Sequence, residues 1–396
     1  MRHVGKTGII FSPVTGDWSI AAERVAGVPL LTRILISAER AGVHRVIVCA
    51  GEAASRLRDL VAKRPPQCRI EWIGTSADEL GQALGQDGTS PCFFIRASTV
   101  LNPAALTELR AAFHPGVTAV VPSGQGPETP VALRIPEVAA GQERLSAQVP
   151  LSGTAVCLDL TSTTAEAAAA ILYRALGKST DSWLIHWSRR LLFPVMRAVL
   201  ETPLTPNQLT LLGFLIGLGA IGCLWQGNYP WTVAGAALFV VAYLTDLLDG
   251  MLARLKLQES QWGRWMDYAL DNLVHLGIFA GIVRAVYLRK PDETVLILGA
   301  LIIAGAVISG CIAAVHMIQS KGPVNRLLAQ LMHRDFSVIL LLAALLNRLE
   351  WFLWAAAIGI NLFWPFILYL LIRDKRIATG MRVEHPGLSG AGGKEG

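Results

Sequence analysis

The chain has 396 residues, of which 53% are hydrophobic and only 16% charged, with a mean hydropathy of +0.46 and a formal net charge of +6. This balance excludes an ordinary soluble protein and a disordered one. The basic residues are scattered, with no aromatic-interleaved stripe, which excludes a nucleic-acid partner. The six cysteines (Cys49, Cys68, Cys92, Cys157, Cys223, Cys311) form no C-x-x-C pair and read as small core residues in a reducing compartment.

Residues 1–180 alternate short apolar runs with polar turns. The sequence predicts strands at Gly8–Ser12, His44–Ala50, Arg69–Gly74, Cys92–Ala97, Thr118–Pro122 and Thr154–Leu158. Helical patterns at Thr32–Ala41, Ala53–Ala62, Ala77–Leu84 and Pro103–Phe113 fall between them, so residues 1–178 read as an α/β domain with a largely parallel sheet. Met1–Leu30 lacks a continuous apolar run of signal-peptide length, and no cleaved leader is expected.

Residues 179–204 read as an interfacial helix and linker. Leu184, Trp187, Leu191, Leu192, Val195, Met196 and Val199 recur at helical spacing, with Arg189, Arg190 and Arg197 elsewhere on the wheel, which fits a helix lying in the headgroup plane. Pro194 is expected to kink it. Thr202–Thr210 then breaks the helix, with Asn207 and Thr210 read as caps of a first membrane span.

From about Thr205 the apolar runs are long enough to cross a bilayer, roughly 20 residues each. Residues 205–376 are read as an all-α polytopic domain of six transmembrane helices, at 207–226, 231–252, 265–287, 293–316, 335–348 and 350–372. The glycine-rich tail 377–396 is expected to be disordered. Arg254, Lys256 and Arg264, then Lys321, Arg326 and Arg334, then Arg373, Lys375 and Arg376 occupy one set of loops, and only Arg289, Lys290 and Arg348 the other. The positive-inside rule therefore puts both termini and the first set of loops in the cytosol. The several tryptophans at span ends read as interface anchors.

One stretch carries chemistry. Asp246 and Asp249 are three apart, Asp267 and Asp271 four apart, so each pair shares a face of its helix, and the short reversal between lets the faces meet. Carboxylates are costly at membrane depth and mark function by default. Four of them converging repel unless cations sit among them, and hard oxygen ligands suit Mg²⁺, Mn²⁺ or Ca²⁺, the first two where a phosphate substrate takes part.

The spacing D-x2-D-G-x2-A-R-x8-G-x3-D-x3-D resembles the defining motif of the CDP-alcohol phosphotransferase family at every fixed position: Asp246, Asp249, Gly250, Ala253, Arg254, Gly263, Asp267 and Asp271. The Pro206–Thr210 string is similar to that family's entry to its first span. The resemblance implies a CDP-alcohol donor, an alcohol acceptor whose hydroxyl attacks phosphorus, release of CMP, two Mg²⁺ or Mn²⁺ ions held by the four aspartates, and a membrane homodimer. It further implies that Asp271 takes the acceptor's proton. Asp246, Gly250, Ala253, Arg254 and Gly263 would then serve CDP and phosphate binding. Lys321, Arg326 and Arg334 are candidates for a phosphorylated acceptor, and His275, one turn beyond Asp271, reads as a packing histidine.

The first half is similar to sugar-phosphate nucleotidyltransferases in its G-x-P-L-L turn at Gly27–Leu31 and its A-G-V-x-x-V-I-V strand. That order of domains resembles the bifunctional inositol-1-phosphate cytidylyltransferase and di-inositol-phosphate phosphate synthase. The departures are decisive. The loop Ser12–Trp18 has one glycine and a proline where the family uses a glycine-rich phosphate cradle, and Ala97-Ser98 stands where it keeps a metal-binding aspartate. A catalytically silent domain that docks, positions or regulates is expected, with a true bifunctional enzyme as the alternative. A membrane prenyltransferase also holds Mg²⁺-diphosphate on aspartates, but in two motifs far apart. A transporter or scaffold would carry its charges nearer mid-span.

Overall fold

The computed structural model describes residues 6–12, 16–85, 91–113, 119–122, 131–134, 146–177, 183–319 and 336–383. By contacts the chain forms two compact units. The first comprises Met1–Ser179, Phe193–Leu204 and Gly250–Glu259; the second comprises Thr180–Leu192, Thr205–Asp249 and Ser260–Gly396.

In the first unit, β1 (Thr7–Phe11), the β2–β3 hairpin (Arg24–Val25, Val28–Pro29) and α1 (Leu30–Arg40) lead into β4 (Arg45–Cys49), α2 (Ala54–Ala62), β5 (Arg69–Ile73) and α3 (Ala77–Leu84). Then come β6 (Cys92–Arg96), β7 (Thr99–Leu101), α4 (Pro103–Ala112), β8 (Ala119–Pro122), β9 (Val131–Arg134), β10 (Ser146–Val149), β11 (Cys157–Asp159) and α5 (Ala165–Ala175). Seven strands form one sheet in the order β10-β8-β9-β6-β1-β4-β5. β1 lies at its centre, parallel to β4 with Ile9 opposite Ile47 and parallel to β6 with Ile9 opposite Phe94. Central parallel strands are covered on both faces and read as apolar runs, which is why TGIIF, RVIVC and CFFIR were legible. The sheet is mostly parallel as expected, with β9 running antiparallel to both β6 and β8.

The β2–β3 hairpin turns on Ala26 and Gly27, both at positive φ, the geometry of a two-residue I′ turn. Gly27 is required there, since a Cβ would sit 2.8 Å from the carbonyl oxygen of Leu200. Arg33, on α1, is 2% exposed and donates to the carbonyl of Val25 from Nε (3.2 Å) and Nη2 (2.8 Å).

The helix expected at the interface is α6, which runs Trp183–Leu200 with Pro194 inside it. Its residues pass from the second unit to the first at Leu192–Phe193, beside that proline. Trp187, Leu191 and Val195, spaced four apart, are exposed, while Ile185, Leu192, Met196 and Leu200 are buried.

The second unit holds the long helices: α7 (Pro206–Gln226), α8 (Tyr229–Leu255), which continues into the first unit, α9 (Gln261–Arg289), α10 (Glu293–Gln319), α11 (Phe336–Leu345) and α12 (Leu349–Val383). Five are long and apolar enough to cross a membrane: α7, α8, α9, α10 over Glu293–Ala314 and α12 over Leu349–Tyr369. These account for five of the six spans expected from the sequence, among the described residues. The expected fifth span, 335–348, falls on α11, an apolar helix of which ten residues are described. It ends at a turn where Asn347 takes φ +56°. α12 runs to Val383, into the stretch read as a tail, and residues 384–396 lie outside the described ones.

α9 packs on α7 and α10, and α12 on α9, α10 and α11, around a core that includes Leu224, Phe239, Ile278, Ile282, Ile302, Leu340 and Phe352. On α7 the buried face is small (Gly213, Gly217, Ala220), while Leu211, Leu215 and Leu218 point outward. Small residues inside and leucines outside is the arrangement of a helix that packs closely on neighbours and meets lipid. The N-cap of α7 is Thr205, in a capping box with Gln208, rather than Asn207 or Thr210.

Candidate active site and metal centre

The acidic motif lies where two helices come together at one end. α8 is apolar until its last three turns, where Asp246 and Asp249 appear. α9 starts at Gln261 because Ser260 caps it, its side chain accepting from the Gly263 N–H at 2.9 Å. One turn later come Asp267 and then Asp271.

Asp246, Asp267 and Asp271 each offer a carboxylate oxygen, and the three oxygens all lie within 4.8 Å of one another. Oδ1 of Asp267 is buried and has no hydrogen-bond partner. A buried, unpartnered carboxylate oxygen is costly unless something cationic meets it. The donor set is all hard oxygen, which fits a divalent cation of the Mg²⁺ or Mn²⁺ type and not a soft metal.

Asp249 is only 5% exposed and stands outside that three-oxygen cluster, though its charge still acts on Asp267. Thr210, on the first turns of α7, donates to Asp249 Oδ2 at 2.6 Å. The sequence reading gave Thr210 a capping role. The structure instead sets its hydroxyl against a motif carboxylate as well as the Pro206 carbonyl at 3.2 Å, and its place in the Pro206–Thr210 string was the available signal. A pocket of about 30 Å³ lined by Thr210, Gly213, Asp246, Asp249, Asp271 and His275 reaches the carboxylates. That is room for a water or a small cation, not for a nucleotide. His275 packs its ring against Phe239, edge-on at 5.7 Å, and Phe336 at 5.3 Å, consistent with the packing role expected of it.

The small residues divide. At Gly263 a Cβ would meet Ser260 Oγ at 2.9 Å and Asn207 Oδ1 at 3.2 Å, so a side chain there would disturb the α9 cap and the start of α7. At Gly250 a Cβ would meet only the Arg254 guanidinium at 3.8 Å, ordinary contact, and the fold itself does not demand glycine. Arg254, one turn on, folds back so that its Nε donates to the Gly250 carbonyl at 2.9 Å. Ala253 is half-buried beside it. Lys321, Arg326 and Arg334, the acceptor candidates, lie outside the described residues.

In the α/β half, Ala97 and Ser98 follow β6, where the resemblance looks for an acidic residue. Ser98 is fully buried, and its Oγ has no hydrogen-bond partner.

Residues 203–371 match the family model described as CDP-alcohol phosphatidyltransferase. Phosphatidylinositol phosphate synthase of Cutibacterium acnes is 36% identical over 112 residues, 26% of this chain and 48% of that protein. Archaetidylinositol phosphate synthase of Pyrococcus horikoshii is 36% identical over 101 residues, 26% of this chain and 52% of that protein. A bifunctional IPC transferase and DIPP synthase of Rubrobacter xylanophilus is 36% identical over 84 residues, 21% of this chain and 19% of that protein. The chain thus spans about half the length of the first two relatives and about a fifth of the third. Among solved structures, a phosphatidylinositol phosphate synthase of Mycobacterium tuberculosis with CDP-DAG bound aligns over 46% of this chain and 92% of its own. Its identity to this chain is 21% and its TM-score 0.37.

Proposed function

With a CDP-alcohol phosphatidyltransferase domain over residues 203–371 as the premise, we propose that this chain is a membrane transferase that moves a phospho-alcohol group from a CDP-alcohol to an acceptor hydroxyl and releases CMP. The observation that carries the reading is the convergence of Asp246, Asp267 and Asp271 within 4.8 Å at the end of two apolar helices.

In the reaction the acceptor oxygen attacks the phosphorus bonded to the donated alcohol. The bond from that phosphorus to the CMP oxygen breaks, and a phosphodiester forms. Asp271 receives the acceptor's proton, the role of a positioned general base. Asp246, Asp249, Asp267 and Asp271 would hold two divalent cations, with the Thr210 hydroxyl bonded to Asp249. When bound, such ions neutralise the pyrophosphate and the leaving phosphate. Arg254, whose Nε bonds the Gly250 carbonyl, clamps a phosphate oxygen pair with its planar fork. Gly250, Ala253 and Gly263 leave backbone open to the CDP moiety.

The relatives, synthases of phosphatidylinositol phosphate and archaetidylinositol phosphate, support a lipid donor group and an inositol phosphate acceptor. Lys321, Arg326 and Arg334 are the basic residues assigned to the acceptor phosphate. The loop charges support termini and site on the cytosolic side. A homodimer in the membrane belongs to the same reading. The division into an α/β domain at 1–178, an interfacial helix and linker at 179–204 and a membrane domain at 205–376 does too. The bifunctional relative favours a second reading in which the α/β domain makes the CDP-alcohol from CTP, but buried Ser98 at the acidic position weighs against it.

The test is CMP release by membranes holding the full chain, supplied with Mg²⁺ and, in turn, CDP-diacylglycerol, CDP-inositol and CDP-glycerol, each with phosphorylated and free polyols. Magnesium-dependent CMP release from at least one pair is expected. None above control membranes with any pair would refute the proposal.

A further inference from the structure

α8 ends at Leu255 in an unusual way. Leu257 N–H bonds back to the Arg254 carbonyl at 3.2 Å and Gln258 N–H to the Ala253 carbonyl at 2.7 Å, the pattern of a Schellman stop. The residue that must turn left-handed for such a stop is normally glycine. Here it is Leu257, at φ +55° and 6% exposed.

A helix end leaves its last carbonyls without partners, and the Schellman bonds do not reach those of Leu255, Lys256 and Leu257. All three are met by guanidinium groups from the α/β fold. Arg33 Nη2 donates to the Leu255 carbonyl at 2.6 Å, and Arg64 Nη1 to the Lys256 carbonyl at 2.6 Å. The Leu257 carbonyl receives Arg40 Nη2 at 2.8 Å and a second bond from Arg64 Nη2. Arg40 also pairs with Glu259. From the other side, Lys256 Nζ donates to the carbonyls of Thr202 (2.8 Å) and Leu204 (2.9 Å).

Three arginines gathered on carbonyls, with Glu259 the acid joined to them, is an expensive cluster to keep for packing alone. Burial, and then the charges of Arg64 and Arg40, push the Arg33 guanidinium down to about 9, which leaves it charged at neutral pH. The cluster matches the negative end of the α8 dipole. The Arg33 group also joins Val25, in the hairpin strand, to Leu255. α8 is one continuous helix. Arg254 therefore adjoins the clamped residues directly.

We propose that Arg33, Arg40 and Arg64 are positioning residues for the transfer reaction: the α/β fold acts as a clamp on the C-terminus of α8, fixing the rotation and height of the turn that carries Gly250 and Arg254. The activity part rests on the transferase reading above; the clamp itself does not. It gives a catalytically silent domain a definite task.

The test uses the full chain. Arg40→Ala/Arg64→Ala removes the two partly exposed guanidiniums without opening a core cavity. Arg40→Lys/Arg64→Lys keeps the charges but not the two-carbonyl fork. Arg69→Ala, which removes an exposed partner of Glu71, controls for general damage to the fold. In the Ala pair, amide exchange of the peptide covering residues 255–259 should rise ~10-fold or more, while peptides from β1 and β4 keep their protection. With whichever of the three CDP-alcohols the wild type turns over, kcat for CMP release should fall ~10-fold or more, because misplacing a group by an ångström is that costly, with KM changing much less. The Lys pair should recover part of both, and Arg69→Ala should match wild type. Unchanged exchange at 255–259 in the Ala pair would overturn the clamp, and raised exchange with unchanged kcat would overturn the positioning role. A wild type that released no CMP from any donor would refute the transferase reading instead, and the exchange result would still decide the clamp.

Discussion

Asp249 and Thr210 show how a single neutral side chain sets a charged one. Asp249→Asn should abolish CMP release while the protein still folds and inserts, since an amide is a poor ligand for a hard cation. Thr210→Val keeps the charge but removes the bond at 2.6 Å; it should lower CMP release about 10–100-fold and raise the Mg²⁺ requirement, the usual scale for a residue that orients a metal ligand. Asp271→Asn should separate binding from chemistry. CDP-alcohol binding persists, and turnover drops ~10²-fold or more, the scale of a general base. Loss of binding in parallel would make Asp271 a metal ligand first. The thiols test the buried sheet independently. Burial, with the charges of Glu79 and Glu39 respectively, pushes the Cys49 and Cys68 thiols up to about 11. At pH 8 each is thiolate about 0.1% of the time, so neither should take iodoacetamide until the protein is denatured, as mass spectrometry would read.

At the scale of the element, close helix approach replaces hydrophobic driving force inside a bilayer. A Cβ on Gly235 would meet the Ala220 carbonyl oxygen at 2.8 Å and the Leu224 nitrogen at 3.0 Å, so the backbones of α7 and α8 approach closely there. Gly235→Ala should destabilise by about 1–3 kcal/mol in a detergent melt. Gly222→Ala, with nothing within 4 Å, should not move the midpoint. These distances mark what the sequence could reveal and what it could not. The long apolar runs and the central strands were legible because burial on all sides leaves a continuous apolar string, as in TGIIF. β9 and β10 were not, because four-residue strands such as VALR carry too little pattern to stand out from a loop. The acidic motif was legible from spacing alone, since three- and four-residue steps fix a helix face. Thr210 was misread because a threonine near a helix start looks the same whether it caps or reaches a neighbour. The arginine clamp was invisible, because Arg33, Arg40 and Arg64 are about 200 residues away in sequence from the carbonyls they meet.

At the scale of the whole molecule, the two halves are expected to divide labour unequally. Given CTP, Mg²⁺ and a panel of phosphorylated alcohols, the full chain should release no pyrophosphate above background, since Ala97 and Ser98, both fully buried, leave no carboxylate to hold a metal on a triphosphate. Added preformed CDP-alcohol should still yield CMP. Pyrophosphate release would instead mark a bifunctional enzyme, with another acid, such as Asp17, taking over metal binding.

The left-handed leucine at the end of α8 also bears on the order of events during synthesis. A helix that stops on glycine can stop by itself as it leaves the ribosome. One that stops on Leu257 needs its arginines waiting. They are: Arg33, Arg40 and Arg64 emerge roughly 190–220 residues earlier, and domains fold as units from the N-terminus onward. On that order the arginines precede in synthesis the carbonyls they meet. Moving the same domain to the C-terminus of the chain would leave every contact available in principle while forcing the helix end to wait, unterminated, for its partner.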